Sequence, residues 1–202
     1  LKNYKEIIIM KKPTGYDELQ VTFTPVELGG HHAIIKNVRE MQSRTGKAMI
    51  VVSIDFAQND KQPNYFMHSF DNDIRADKKW PFQGTQYILS EGNDGKVSRS
   101  FKQFIEAFEE SNNLEATWGD AFCNQFKGRK IGVVFGNVEE EYNGEVKKRR
   151  RIRWFCNDSA VDNARIPEDK LLPTSSRQPA PPVTDKDGFM SIPDGSEEEI
   201  PF

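Results

Sequence analysis

Four cations at alternate positions, Lys147, Arg149, Arg151 and Arg153, lie in the run Glu145 to Phe155 (EVKKRRRIRWF). Extended backbone sends alternate side chains to opposite faces, so these four share one face, while Val146, Ile152 and Trp154 fall on the other with Lys148 and Arg150. Such a stripe can track the phosphates of a single nucleic-acid strand, and arginine can also stack on bases. The same pattern suits a solvated face or a guarded sheet edge. Single-strand binding further requires aromatic platforms, for which Tyr65, Trp80, Phe82, Tyr142 and Phe155 are candidates. Tyr65 and Trp80 lead because they flank an expected strand and Trp80 follows Lys78 and Lys79. Arg44 and Lys47, in an expected loop, add two cations that a barrel would bring to the same side.

Signatures of catalysis are sparse. Gly132-Val133-Val134-Phe135-Gly136 lacks the G-x-x-x-x-G-K-[ST] pattern of a phosphate-binding loop. Glu145-Val146-Lys147 matches the E-x-K half of a restriction-type nuclease site, in which an upstream Asp and the Glu hold a metal and the Lys assists the nucleophile. The nearest upstream Asp, Asp120, precedes the neighbouring strand in an expected helical insertion. Asp71-Asn72-Asp73 continues as Ile74-Arg75 without the other ligands of a calcium loop. His31, His32, His68, Cys123 and Cys156 show no paired metal-ligand spacing. No catalytic residue, metal or cofactor is therefore expected.

The scaffold for these residues follows from length and patterning. A chain of 202 residues, 36% hydrophobic and 29% charged, supports one domain with a polar extension. Its apolar runs, such as Ile7 to Met10 and Met49 to Val52, are far too short for a membrane span. Lys11-Lys12-Pro13 cuts the first run short of a secretory signal, so a cytoplasmic location is expected. The net charge of -3 conceals an asymmetry, because residues 183–202 carry six acids against one base and the remainder is mildly basic.

Strands are expected at His31 to Met41, Ala48 to Phe56 and Tyr65 to Phe70, the first two joined by a Gly-containing polar loop. Val97, Phe101, Phe104, Ile105 and Phe108 form the single stripe of an amphipathic helix, and Trp118, Phe122 and Phe126 continue as a short second helix ending at Gly128. Arg129 to Tyr142 and Glu145 to Phe155 read as two strands around Asn143-Gly144, the strongest short hairpin signal. The fold class is thus mainly β: five strands with a helical insertion between the third and fourth, the order of an OB-like barrel. Residues 1–166 form this domain. Residues 167–188, rich in Pro and Ser, read as a disordered linker, and residues 189–202 as an acidic tail.

That tail ends Glu197-Glu198-Glu199-Ile200-Pro201-Phe202. Here the sequence resembles the bacterial and phage single-stranded DNA-binding proteins, whose linker leads to an acidic tip ending in Pro-Phe. The resemblance implies that Phe202 and its carboxylate enter a basic pocket on replication and repair proteins. Phe101 to Ile105, Lys127 to Gly136 and Glu139 to Tyr142 are also similar to replication-module proteins from phages and prophages of Gram-positive bacteria.

Together these features lead us to expect a non-enzymatic protein that covers and protects single-stranded DNA, whatever its sequence, in replication or recombination, in the host cytoplasm if phage-encoded. DNA would meet Arg44, Lys47, Tyr65, Lys78, Lys79, Trp80, Lys147, Arg149, Arg151 and Arg153. Partner proteins would meet Glu197 through Phe202. No membrane partner is expected, and a homo-oligomer is compatible with the pattern. Two alternatives stand beside it: a metal-dependent nuclease using Glu145 and Lys147, and a protein-binding adaptor or inhibitor whose tail imitates that of a host DNA-binding protein.

Overall fold

The computed structural model describes residues 24–173 together with Lys11, Lys12 and Thr14. Its framework is a five-stranded antiparallel sheet of β1 (Gly29–Gln42), β2 (Ala48–Phe56), β3 (Thr85–Leu89), β4 (Lys130–Tyr142) and β5 (Glu145–Cys156). The spatial order is β3-β2-β1-β4-β5, leaving β3 and β5 as the edges with no ladder between them. Two helices, α1 (Tyr65–Asp71) and α2 (Arg99–Asn112), flank β3 in the chain.

Alternation explains the core. Ile50, Val52 and Ile54 of β2 share one buried face with Ile35 and Val38 of β1, Ile88 of β3, and Val133 and Phe135 of β4. Helix α2 covers this face with Phe101, Phe104, Ile105 and Phe108 of the expected stripe, whereas Val97 precedes the helix and is exposed. Ser98 caps it by accepting the Phe101 N–H at 3.1 Å.

The segment Tyr65 to Phe70 is helix α1, not the third strand. Phe66 is buried and Phe70 packs on Trp80 at 5.5 Å, an i, i+4 pair that suits a helix better than a pleat. The buried Asp55 carboxylate fixes the start of this helix from a distance, accepting the Phe66 N–H at 2.9 Å and that of Phe56 at 3.0 Å. The third strand is instead Thr85–Leu89, paired with Met49 to Ser53. Trp118 also lies outside regular structure, before a 3-10 turn at Phe122–Phe126.

Two bulges reset the strict alternation. In β1, Ile35 pairs with Ile54 but Asn37 with Ser53, so Lys36 is an extra residue; Val38 turns into the core and Asn37 and Arg39 turn out of it. In β5, Trp154 pairs with Val134 but Ile152 with Phe135, so Arg153 is the extra residue. Ile152 and Phe155 are consequently both buried, three apart, and Trp154 is carried off their face. The expected grouping of Trp154 with Ile152 is corrected by this bulge. Between β4 and β5, Asn143 (φ 54°) and Gly144 (φ 78°) make the tight hairpin turn.

After β5, a 3-10 turn at Asp158–Asn163 leads across the outer face of β1 and β4. Gly30 and Gly136 permit the passage, because a methyl group there would overlap the Val161 carbonyl and the Pro167 ring respectively. β1 pairs with β4 only as far as Phe135, leaving the next stretch of that edge open. Residues 168–172 occupy it, with Glu139 N–H donating to the Lys170 carbonyl at 2.8 Å and Lys170 N–H to the Asn137 carbonyl at 3.0 Å. The packed body therefore continues beyond 166 into the segment expected to be linker. The rest of that linker and the acidic tail lie outside the described residues.

His31 and His32 serve this packing. The buried His31 ring stacks on Phe56 at 4.1 Å, with Nδ1 3.0 Å from Asp60 and Nε2 3.0 Å from the Glu27 carbonyl. Burial acts to raise the Asp60 carboxyl, but hydrogen bonds from His31 and from backbone N–H groups outweigh it and hold the group below the usual range. His32 Nδ1 meets Asp158 at 2.8 Å, joining β1 to the crossing segment.

Candidate nucleic-acid interface

The bulge at Lys36 and the cross-strand register create two rows on the sheet face opposite the core. Arg39 pairs with Val51 and Val51 with Tyr87; Asn37 pairs with Ser53 and Ser53 with Thr85. Adjacent strands lie about 4.8 Å apart, so each row spans roughly 10 Å. These rows floor a groove of about 560 Å³, walled by Arg75, Lys79, Trp80 and Phe82 from the approach to β3. Phe82 and Tyr87 are 56% and 44% exposed, with ring centroids 6.2 Å apart. They present apolar faces to solvent beside cations.

Each wall residue is held differently. Trp80 packs on the core and donates its indole N–H to the Ile54 carbonyl at 3.1 Å. Arg75 forks onto Asp73, with Nη2 at 2.6 Å, and these hydrogen bonds lower the Asp73 carboxyl to about 2. Lys79 is exposed at the rim. From the opposite edge, the Arg151 guanidinium lies over the Phe82 ring at 4.3 Å and forks onto Glu140 at 2.6 and 2.7 Å, which lowers the Glu140 carboxyl.

The expected DNA-contacting residues divide in space. Lys79, Trp80 and Arg151 gather at the groove or its margin. Lys78 stands over the Phe70 ring at 4.8 Å. Tyr65 donates its hydroxyl to the Thr24 carbonyl at 2.9 Å and packs against Phe56 and Phe66, so it braces the body away from the groove. Arg44 is exposed in the β1–β2 turn, and Lys47 is tied to Gly92 and Asn93 at 3.0 and 2.7 Å.

On the β5 arm the stripe is largely occupied. Lys147 pairs with Glu145 at 2.6 Å and Lys148 with Asp169 at 2.8 Å. Arg153 donates to the Glu168 and Asn137 carbonyls at 2.7 and 3.3 Å. Arg149 remains exposed. Phe155 is core, and Tyr142 is 67% exposed beside the hairpin turn. Glu197, Glu198, Glu199, Ile200, Pro201 and Phe202 lie outside the described residues.

The groove also contains residues that the sequence did not single out: Arg39, Arg75, Tyr87, Asn37, Ser53 and Thr85. The alternation of β2 was the available signal, since it marks Val51 and Ser53 as outward; their neighbours on β1 and β3 required the register. Among the described residues, no three His, Cys, Asp or Glu side chains gather closely enough to hold a metal ion, and no helix is long and apolar enough to cross a membrane. No protein-family model matches the chain, and no curated protein matches it.

Proposed function

We propose that this protein binds single-stranded DNA without catalysing its breakdown, holding the strand in the groove over β1, β2 and β3. The observation that carries the reading is the joint placement of Trp80, Phe82 and Tyr87 with Arg39, Lys79 and Arg151, stacking surfaces beside phosphate-binding cations on one face. Strand order supports it. The sequence β3-β2-β1-β4-β5 is that of the five-stranded OB barrel opened between its third and fifth strands, with the helix in the expected place before β4. Arg151 on Phe82 spans the open seam. In an OB barrel, oligonucleotides lie across strands 2 and 3, the strands that bear Ser53 and Tyr87 here.

The tail supports a second role for the same molecule. The acidic run Glu197 to Glu199, followed by Ile200, Pro201 and Phe202, suits recruitment of replication or repair proteins with a basic, aromatic-accepting pocket. The reading is tested by titrating Phe82→Ala and Tyr87→Ala against a labelled single strand. Each is expected to weaken binding about fivefold or more, as loss of one stacked base requires. Unchanged affinity in both would remove the groove from the account.

A further inference from the structure

The groove holds more than a sequence-tolerant strand requires. Stacking platforms and cations suffice for that, since every base has a π face and every nucleotide a phosphate. Beside the aromatic wall, however, runs the polar row Asn37, Ser53 and Thr85, drawn from three adjacent strands. Among the described residues, neither the Asn37 amide nor the Ser53 hydroxyl makes a side-chain hydrogen bond. Thr85 donates its hydroxyl proton to the Pro81 carbonyl at 3.1 Å, so toward the groove it can only accept.

Resting on the reading above, we infer that Asn37, Ser53 and Thr85 form a base-edge subsite that takes one unpaired nucleobase stacked on the Phe82–Tyr87 wall and selects it by hydrogen bonding. The geometry suits the task. Tyr87 and Thr85 are two apart on β3, so they project from the same face, and Ser53 is the cross-strand neighbour of Thr85. A ring stacked on Phe82 and Tyr87 presents its edge to this row while its sugar and phosphate face Lys79 at the rim and Arg39 in the neighbouring row. Asn37 supplies both a donor and an acceptor, Ser53 either one, and Thr85 an acceptor, a fixed pattern that some base edges match and others do not. The bulge at Lys36 makes this possible, because strict alternation would bury Asn37 and expose Val38.

The test compares thirty-nucleotide homopolymers of thymidine, deoxycytidine and deoxyadenosine, titrated into the full chain and into Asn37→Ala, Ser53→Ala and the double variant. The wild type is expected to separate its best and worst homopolymers by about tenfold, the discrimination a well-placed base-edge contact supplies. The double variant should reduce that spread to less than about threefold, chiefly by weakening the best-bound homopolymer. A spread that persists in the double variant belongs to base stacking and overturns the subsite. Equal wild-type affinity for all three overturns the subsite and leaves single-strand binding standing. Failure to bind any homopolymer overturns both.

Discussion

Arg151 of β5 lies over the ring of Phe82, 4.3 Å from its centroid, and so joins one edge of the sheet to the approach to the other. Glu140 orients the guanidinium by a two-point fork from the neighbouring strand. The arginine therefore belongs to both the seam and the groove margin. Arg151→Lys should retain charge but lose the planar stack and fork. We expect a stability loss of about 1 kcal/mol by denaturant titration, and DNA binding weakened more than in Lys147→Ala, whose lysine does not line the groove. Equal effects of the two substitutions on binding would detach Arg151 from the groove.

Exposure by itself does not make an aromatic a stacking platform. Tyr142 is more exposed than Tyr87 but lies beside the hairpin turn instead of lining the groove. Tyr142→Ala is expected to leave single-strand affinity within about twofold, whereas Tyr87→Ala weakens it about fivefold or more. Fluorescence anisotropy of the same labelled strand reads both, and a reversed order would place the strand on the hairpin arm.

His32 links β1 to the segment after β5 through Asp158 and Asp162. Desolvation acts to lower its pKa, yet the Asp158 hydrogen bond and the nearby carboxylates prevail and raise it above 6.5. A raised folded-state pKa means that the stabilisation is complete below about 6.5 and is lost as pH climbs through the folded value. Unfolding free energy should therefore decline across that window, and Asp158→Asn should flatten the decline. Stability that rises with pH in the same window, and does so equally in the variant, would contradict this linkage.

Asp55 holds the first turn of α1 against the end of β2. Asp55→Ala leaves buried N–H groups of Phe56 and Phe66 without their acceptor, at a cost of about 1–3 kcal/mol. Asp55→Asn keeps an acceptor oxygen and should cost less. Urea denaturation distinguishes them, and equal stability of both variants with the wild type would remove the capping role.

Local patterns in the sequence specify the structure where local forces decide. Ala48 to Phe56 alternates because one face is buried, and the strand has those bounds. Asn143-Gly144 turns because both residues adopt positive φ, and the stripe is buried from Phe101 to Phe108, within the helix, but not at Val97 before it. Tyr65 to Phe70 folds as a helix and not as the expected strand because its helix start depends on Asp55, ten residues before Tyr65, which no short window reveals. Thr85–Leu89 carries little strand signal because it is short and begins with polar residues. The groove was legible only at Lys79, Trp80 and Phe82. Asn37 and Arg39 reach it through a bulge, and Tyr87 meets them only across the ladder.

Single-strand binding by the outer sheet face is tested most directly by anisotropy of a labelled thirty-nucleotide strand titrated with the full chain at two salt concentrations, with duplex of the same sequence as competitor. If four or more phosphates are neutralised, log K should fall against log salt with a slope of about -3 or steeper, and duplex should not displace the strand. No binding at low salt, or a slope near zero, would contradict the assignment.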